Sequence, residues 1–262
     1  MKHQIIKDVE KLCEEKGVEP LFLFFTGSRA YGYNKESSDY DVLFVFKRPL
    51  KDYFSIIAPA DEIRLSDVDI KGWDIKKFCQ ILSKSGWNAF EALHCETYVF
   101  GDHRDTLEEL ESVVMGSDLY DAKRIAKTMI SCSMRDLKKH DEEEDDMNRK
   151  MKYFLSFTRM ILSAKYCINN SKDYCPIKFD ELVEKTVECQ HFKEIILNIA
   201  EMRKNGEQPK KPVLHFQMDV VKEILNERRK EYDEYLKTLD FKSFDPKNLE
   251  PLNDLIFKTC LK

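Results

Sequence analysis

The residues of this chain most able to do chemistry lie in FFTGSRAYGYNKESSDYDVLFVF, residues 24–46. An apolar run ends in Gly27-Ser28, and ten residues separate that pair from Asp39 and Asp41. Residues two apart on a strand project from one face, so both carboxylates point the same way. Adjacent carboxylates repel, and a divalent cation with oxygen ligands removes the penalty. Gly27 has no Cβ, so a phosphate can approach its backbone, and the turn amides with the Ser28 hydroxyl can donate to phosphate oxygens. Arg29 adds a planar cation suited to bidentate phosphate binding. Amides for the triphosphate and carboxylates for the metals that activate it are the parts needed for phosphoryl or nucleotidyl transfer. A third carboxylate on a neighbouring strand would complete a two-metal site. Asp69, between Val68 and Ile70, fits the pattern apolar, acid, apolar, with Asp67 on the same strand face as its competitor. Asp74, just ahead of Ile75, reads as a helix N-cap.

Elements of definite type must hold these groups. Ile5, Ile6, Val9, Leu12 and Cys13 recur at helical spacing before Gly17, predicting an opening helix with a glycine C-cap. Leu21 to Thr26 and Val42 to Phe46 are short apolar runs bounded by breakers, and read as buried strands. Gly27 to Ser38 reads as a loop, and Ile63 to Ile70 as a third strand. From Asp74 the period becomes helical: one helix holds Ile75, Phe78, Cys79 and Leu82, a second Ala89 and Leu93, and Thr97 to Phe100 is extended. Beyond residue 105 only helical patterns occur, over 105–115, 119–139, 148–169, 179–203 with a break near Cys189, and 218–237.

The expected fold class is therefore α+β, a small mixed sheet with flanking helices followed by a helical domain. Gly101, Gly116 and Ser117 punctuate the junction. The expected division is 1–105 for the catalytic domain and 106–262 for a helical domain that closes over the nucleotide.

Composition narrows the function classes. Hydrophobic residues make up 42% of the 262, enough for a sizeable core. The longest purely apolar stretch, Leu21 to Phe25, is far too short to cross a bilayer, so no membrane association is expected. The opening residues lack the apolar core of a secretion signal, and the eight cysteines are scattered without a CxxC pair, which together predict a cytoplasmic protein with reduced thiols. Net charge is −5, and the excess comes from residues 101–150, chiefly the run Asp141 to Asp146, which reads as a solvated loop between helices. That balance argues against sequence-independent binding along duplex nucleic acid but leaves a nucleotide or a strand end. His94-Cys95 reads as core packing, and the basic stretches at 203–204, 210–211 and 228–230 as solvated faces.

The Gly27-Ser28 turn followed by Asp39-Tyr40-Asp41 resembles the signature of the DNA polymerase β-like nucleotidyltransferase superfamily. The longer strings GSRAYGYNKESSDYDVLFVFKRPLKDYFS, DIKGWDIKKF and KMKYFLSFTRMILSAKY resemble one branch of it, predicted nucleotidyltransferases of which some accompany RNA ligases in bacterial RNA-repair operons. The resemblance covers about half the chain. It implies that Asp39, Asp41 and Asp69 bind magnesium or manganese and that Gly27, Ser28 and Arg29 hold a nucleoside triphosphate. It further implies that Lys152 and Arg159, seven apart on one helix, reach the phosphates. Where family members often carry a proline-containing continuation after that arginine, this chain has Met160-Ile161-Leu162, which predicts a straighter helix. The implied reaction moves a nucleoside monophosphate to an acceptor hydroxyl, an RNA 3′ end being favoured over a protein or small molecule. The alternative is a non-catalytic nucleotide-binding module on the same fold.

Overall fold

The computed structural model describes residues 1–65, 70–116, 119–207, 211–241 and 249–261, with the backbone alone for Lys211. Its contacts divide the chain into two compact units. The first comprises Met1–Ala30, Asp39–Tyr120 and Ser243–Lys262, and the second Tyr31–Ser38 and Asp121–Lys242. A linear division at 105/106 differs from this in three ways. Helix α6 (Arg104–Met115) stays with the first unit, the eight residues 31–38 belong to the second, and the chain returns to the first unit through α12 (Glu250–Leu261). The reason is packing, since α12 lies against α6 and against α4 (Ile75–Ser83).

The first unit is built on a five-stranded mixed sheet in the order β3-β4-β2-β1-β5. β1 (Glu19–Thr26) pairs antiparallel with β2 (Asp41–Lys47) and with β5 (Glu96–Val99), while β4 (Ile70–Asp74) runs parallel to β2 and antiparallel to β3 (Glu62–Leu65). Leu21 to Phe25 are all buried, as an apolar run with both faces covered must be. Helix α1 (Lys2–Lys16) lays Ile5, Val9 and Leu12 on the sheet and ends at Gly17, whose φ of 62° suits a left-handed cap.

The stretch expected as one strand over 63–70 is two, β3 and β4. Ile63 and Leu65 alternate in one phase and Val68 and Ile70 in the other, and no glycine or proline marks the reversal between them. Residues 27–31, expected as loop, form a single helical turn, α2 (Gly27–Tyr31). Asp74 caps α4 as expected, its carboxylate accepting from the Lys76 amide at 2.8 Å. It is buried and also accepts from the Tyr53 hydroxyl at 2.9 Å, which makes it a structural acid.

Glu62 on β3 offers a test of the sheet edge. Burial works against its charge, but hydrogen bonds from Arg64 and Lys77, reinforced by the charges of Lys71 and Lys77, bring its pKa from 4.5 down to about 2. A carboxylate held lower in the folded state stabilises above its unfolded value and loses that contribution as pH falls through the folded one. Discounted for solvent screening at this partly exposed edge, the contribution is on the order of 2 kcal/mol and should disappear between about pH 4.5 and 2. In denaturant titrations Glu62→Gln should cost most near neutrality and almost nothing at the acid end. An equal cost at both pH values would remove the ion pairs from the account.

The second unit is helical. α7 (Ala122–Glu142) and α8 (Met147–Asn169) form an antiparallel hairpin, on which α9 (Phe179–Thr186), α10 (Gln190–Asn205) and α11 (Lys211–Lys237) pack. The acidic run lies where expected, at the α7–α8 connection, and Asp146 caps α8 by accepting from the Arg149 amide at 3.1 Å. α9 and α10 are separated at residues 187–189, and α8 runs without interruption through Met160-Ile161-Leu162. Pro212 stands in the first turn of α11, where a proline is tolerated, so this helix begins seven residues earlier than the apolar period suggests. Among the described residues no helix is long and apolar enough to cross a membrane.

Candidate active site

In the first unit the register brings the two halves of the Gly-Ser and Asp-x-Asp motif together. Thr26, the last residue of β1, pairs with Asp41, the first of β2, and the Thr26 hydroxyl donates to the Asp41 carbonyl at 3.2 Å. Gly27 follows with φ of 71°, a conformation that L side chains rarely adopt. A Cβ at this position would overlap the Asp41 carboxylate. Position 27 is thus restricted twice over, by backbone angle and by the acid seated against it. Asp39, two residues before β2, is exposed.

Tyr40, between the two acids, packs edge-on against Phe25 of the core, with ring centroids 5.9 Å apart. The Arg29 guanidinium lies over the Tyr40 ring at 4.2 Å, a contact that fixes the direction of a long side chain and contributes about 0.5–2 kcal/mol. The motif draws attention to the two acids and not to Tyr40, although alternation along an extended segment assigns residue 40 to the opposite face.

The third carboxylate, Asp69 or its competitor Asp67, lies outside the described residues; β4 begins immediately afterwards at Ile70, which pairs with Val42 of β2. Among the described residues no group of three His, Cys, Asp or Glu side chains is gathered as a metal site. The two carboxylates that are described, Asp39 and Asp41, fit a hard divalent cation by donor type. The Asp41 carboxylate occupies the space that a side chain on Gly27 would need.

Lys152 and Arg159 belong to the second unit, where their environments differ. Lys152 is exposed on α8, whereas Arg159 is 1% exposed, with its guanidinium 3.6 Å from the centroid of the Tyr31 ring. The family resemblance implies that both reach phosphates. The flanking Phe157, Thr158, Met160 and Ile161 are all buried, and a helix apolar on every side was the available signal that its arginine would be buried too. Of the other basic stretches, read as solvated faces, Lys204 pairs with Glu201, Arg228 with Glu231 and Lys230 with Glu227 within their helices, Arg203 is instead buried, and the side chains of 210–211 lie outside the described residues. His94 closes α5 (Trp87–Leu93), its Nδ1 2.7 Å from the Phe90 carbonyl oxygen.

Comparison with known proteins defines the class: the protein is a DNA polymerase β-like nucleotidyltransferase. The chain belongs to the RNA repair pathway DNA polymerase beta family, RlaP, whose model matches residues 1–258. It is 26% identical over 211 residues to the uncharacterized protein YcgL of Bacillus subtilis (strain 168), covering 79% of this chain and 78% of that one. Among solved structures it is similar to a nucleotidyltransferase-like protein from Exiguobacterium sibiricum 255-15, with a TM-score of 0.36 and 11% identity over 95% of this chain and 86% of the other.

Proposed function

We infer that the protein transfers a nucleoside monophosphate from a nucleoside triphosphate to an acceptor hydroxyl, with an RNA 3′ end as the favoured acceptor. The acceptor oxygen forms a bond to the α-phosphorus, the α–β phosphoanhydride bond breaks, and pyrophosphate leaves. The observation that carries this reading is the contact between the bare backbone of Gly27 and the Asp41 carboxylate, which brings a phosphate-compatible turn against a metal-compatible acid.

Each residue then has a role in that transfer. Gly27 and Ser28 donate amide and hydroxyl hydrogens to the triphosphate. Arg29, braced by Tyr40, meets the charge that grows on the leaving phosphates. Asp39 and Asp41, with Asp69 as the third carboxylate, would hold magnesium or manganese. When bound, such a cation supplies charge neutralisation at the phosphates and a lowered pKa for the acceptor hydroxyl. Lys152, exposed on α8, is suited to a phosphate as a mobile point charge. The family's association with RNA repair supports an RNA end as acceptor.

The test is incubation with each of the four α-³²P-labelled triphosphates and magnesium, with and without short RNA, beside an Asp39→Ala/Asp41→Ala variant. Label should pass to RNA with the native chain alone. Magnesium-dependent binding of a triphosphate without transfer to RNA, to the protein or to a panel of small alcohols would instead support a nucleotide sensor.

A further inference from the structure

The eight residues 31–38 belong to the second unit, yet peptide bonds join them to Ala30 on one side and Asp39 on the other. Two arginines of the second unit meet this connector. Arg159 of α8 lies against the Tyr31 ring, with its Cζ 3.6 Å from the centroid. Arg203, in the last turn of α10 and 3% exposed, donates through Nη1 to the Tyr33 carbonyl and has its Cζ 5.8 Å from the Tyr33 ring. Tyr33 is itself buried, edge-on to Phe179 at 5.2 Å, and its ring lies 5.6 Å from that of Tyr31. The remaining part of the connector closes on itself. The Ser38 amide donates to the Lys35 carbonyl at 3.1 Å and the Lys35 amide donates to the Ser38 hydroxyl at 3.0 Å.

Burying a guanidinium carries a desolvation cost, and a well-packed apolar pair of similar volume commonly holds a segment as firmly. What a guanidinium adds is direction, because its plane stacks on an aromatic face while its edge donates in a fixed fork. Two such groups on three consecutive residues define the path of the connector more narrowly than apolar packing would.

We propose that Arg159 and Arg203 are positioning residues, which clamp Tyr31 and Tyr33 and so fix the connector between the Gly27-Ser28-Arg29 half of the site and its Asp39-Tyr40-Asp41 half. This rests on the nucleotidyl-transfer reading for its consequence in activity, and on contacts within the second unit for the clamp itself. It assigns Arg159 a role other than direct contact with phosphate, and gives Arg203 a role that its place in a basic stretch does not suggest.

Hydrogen exchange and label transfer, applied together to Tyr31→Leu, Tyr31→Phe, Arg159→Met, Arg203→Met and the Tyr31→Leu/Arg159→Met pair, test the proposal. In Arg203→Met the amides of residues 33–38 should exchange about tenfold faster or more, while those in the middle of α8 and α10 keep their protection. Tyr31→Leu and Arg159→Met should each lower kcat by about tenfold, and the double variant no further, because both remove the same contact. Tyr31→Phe keeps the ring and should behave as the native chain. Unchanged exchange across residues 31–38 in both arginine variants would overturn the clamp. So would an Arg159→Met variant that raises the KM for triphosphate while Tyr31→Leu is silent, the pattern of an arginine that touches phosphate. If the native chain transfers no label to any acceptor, the nucleotidyl-transfer reading fails, and the exchange measurement still decides the clamp.

Discussion

Asp41→Asn is expected to lower label transfer on the order of a thousandfold while leaving the fold intact. Asparagine preserves the volume seated against Gly27, so the turn keeps its shape. The contacts that tie residue 41 into the sheet are made by its backbone, through pairing with Thr26 and through the hydroxyl that donates to its carbonyl, and these survive the change. What goes is one negative oxygen in the proposed cation site. Charge stabilisation of a phosphoryl transition state by a bound cation is a matter of several kcal/mol. At about 1.4 kcal/mol for each tenfold, roughly 4 kcal/mol is a thousandfold. Single-turnover transfer rates and thermal melts of native and variant chains provide the check. A variant that retains more than about a tenth of the native rate would remove Asp41 from the reacting centre.

The second large effect concerns the residue opposite. Gly27→Ala should destabilise the first unit by about 2–3 kcal/mol and abolish transfer, since it adds a left-handed backbone penalty of about 1–2 kcal/mol to a collision with the Asp41 carboxylate. These two parts can be separated. In Gly27→Ala/Asp41→Gly the collision is relieved and the backbone penalty stays, so part of the lost stability should return while activity does not. Equilibrium denaturation of the four chains of this cycle measures the coupling directly. Additive losses would mean that the turn and the acid do not meet.

Much of the scaffold was legible because it is written locally. Leu21 to Phe25 must be a covered strand, Ile5 to Cys13 a helix face, and Asp74 before Ile75 a cap, since each depends only on neighbours within a few residues. The pairing of Thr26 with Asp41 was half legible: the motif spacing required the two segments to meet, without giving the register. Features that depend on distant partners were not legible. Arg159 reads as a phosphate-reaching cation by residue type, and although the apolar residues around it on α8 hinted at burial, nothing local named Tyr31 as its partner. The division between β3 and β4 was marked in the sequence only by a change in the phase of alternation at Ser66-Asp67. Tyr31 to Ser38 read as an ordinary polar loop of the catalytic unit because nothing in its composition names the helices it joins.

The return of α12 to the first unit bears on the order in which the chain folds. Lys47 is buried at the end of β2, where it pairs with Glu19 at 3.1 Å and donates to the Thr259 carbonyl, 212 residues away in sequence, at 3.3 Å. A nascent chain that has produced the whole sheet still holds this ammonium group without its last acceptor. The helices of the second unit, residues 121–242 between α6 and α12, can collapse on their own local contacts as they emerge from the ribosome, with residues 31–38 already made. The sheet, synthesised first, is completed last, and a released chain that ends at residue 249 should be more open to proteases in the first unit than in the second.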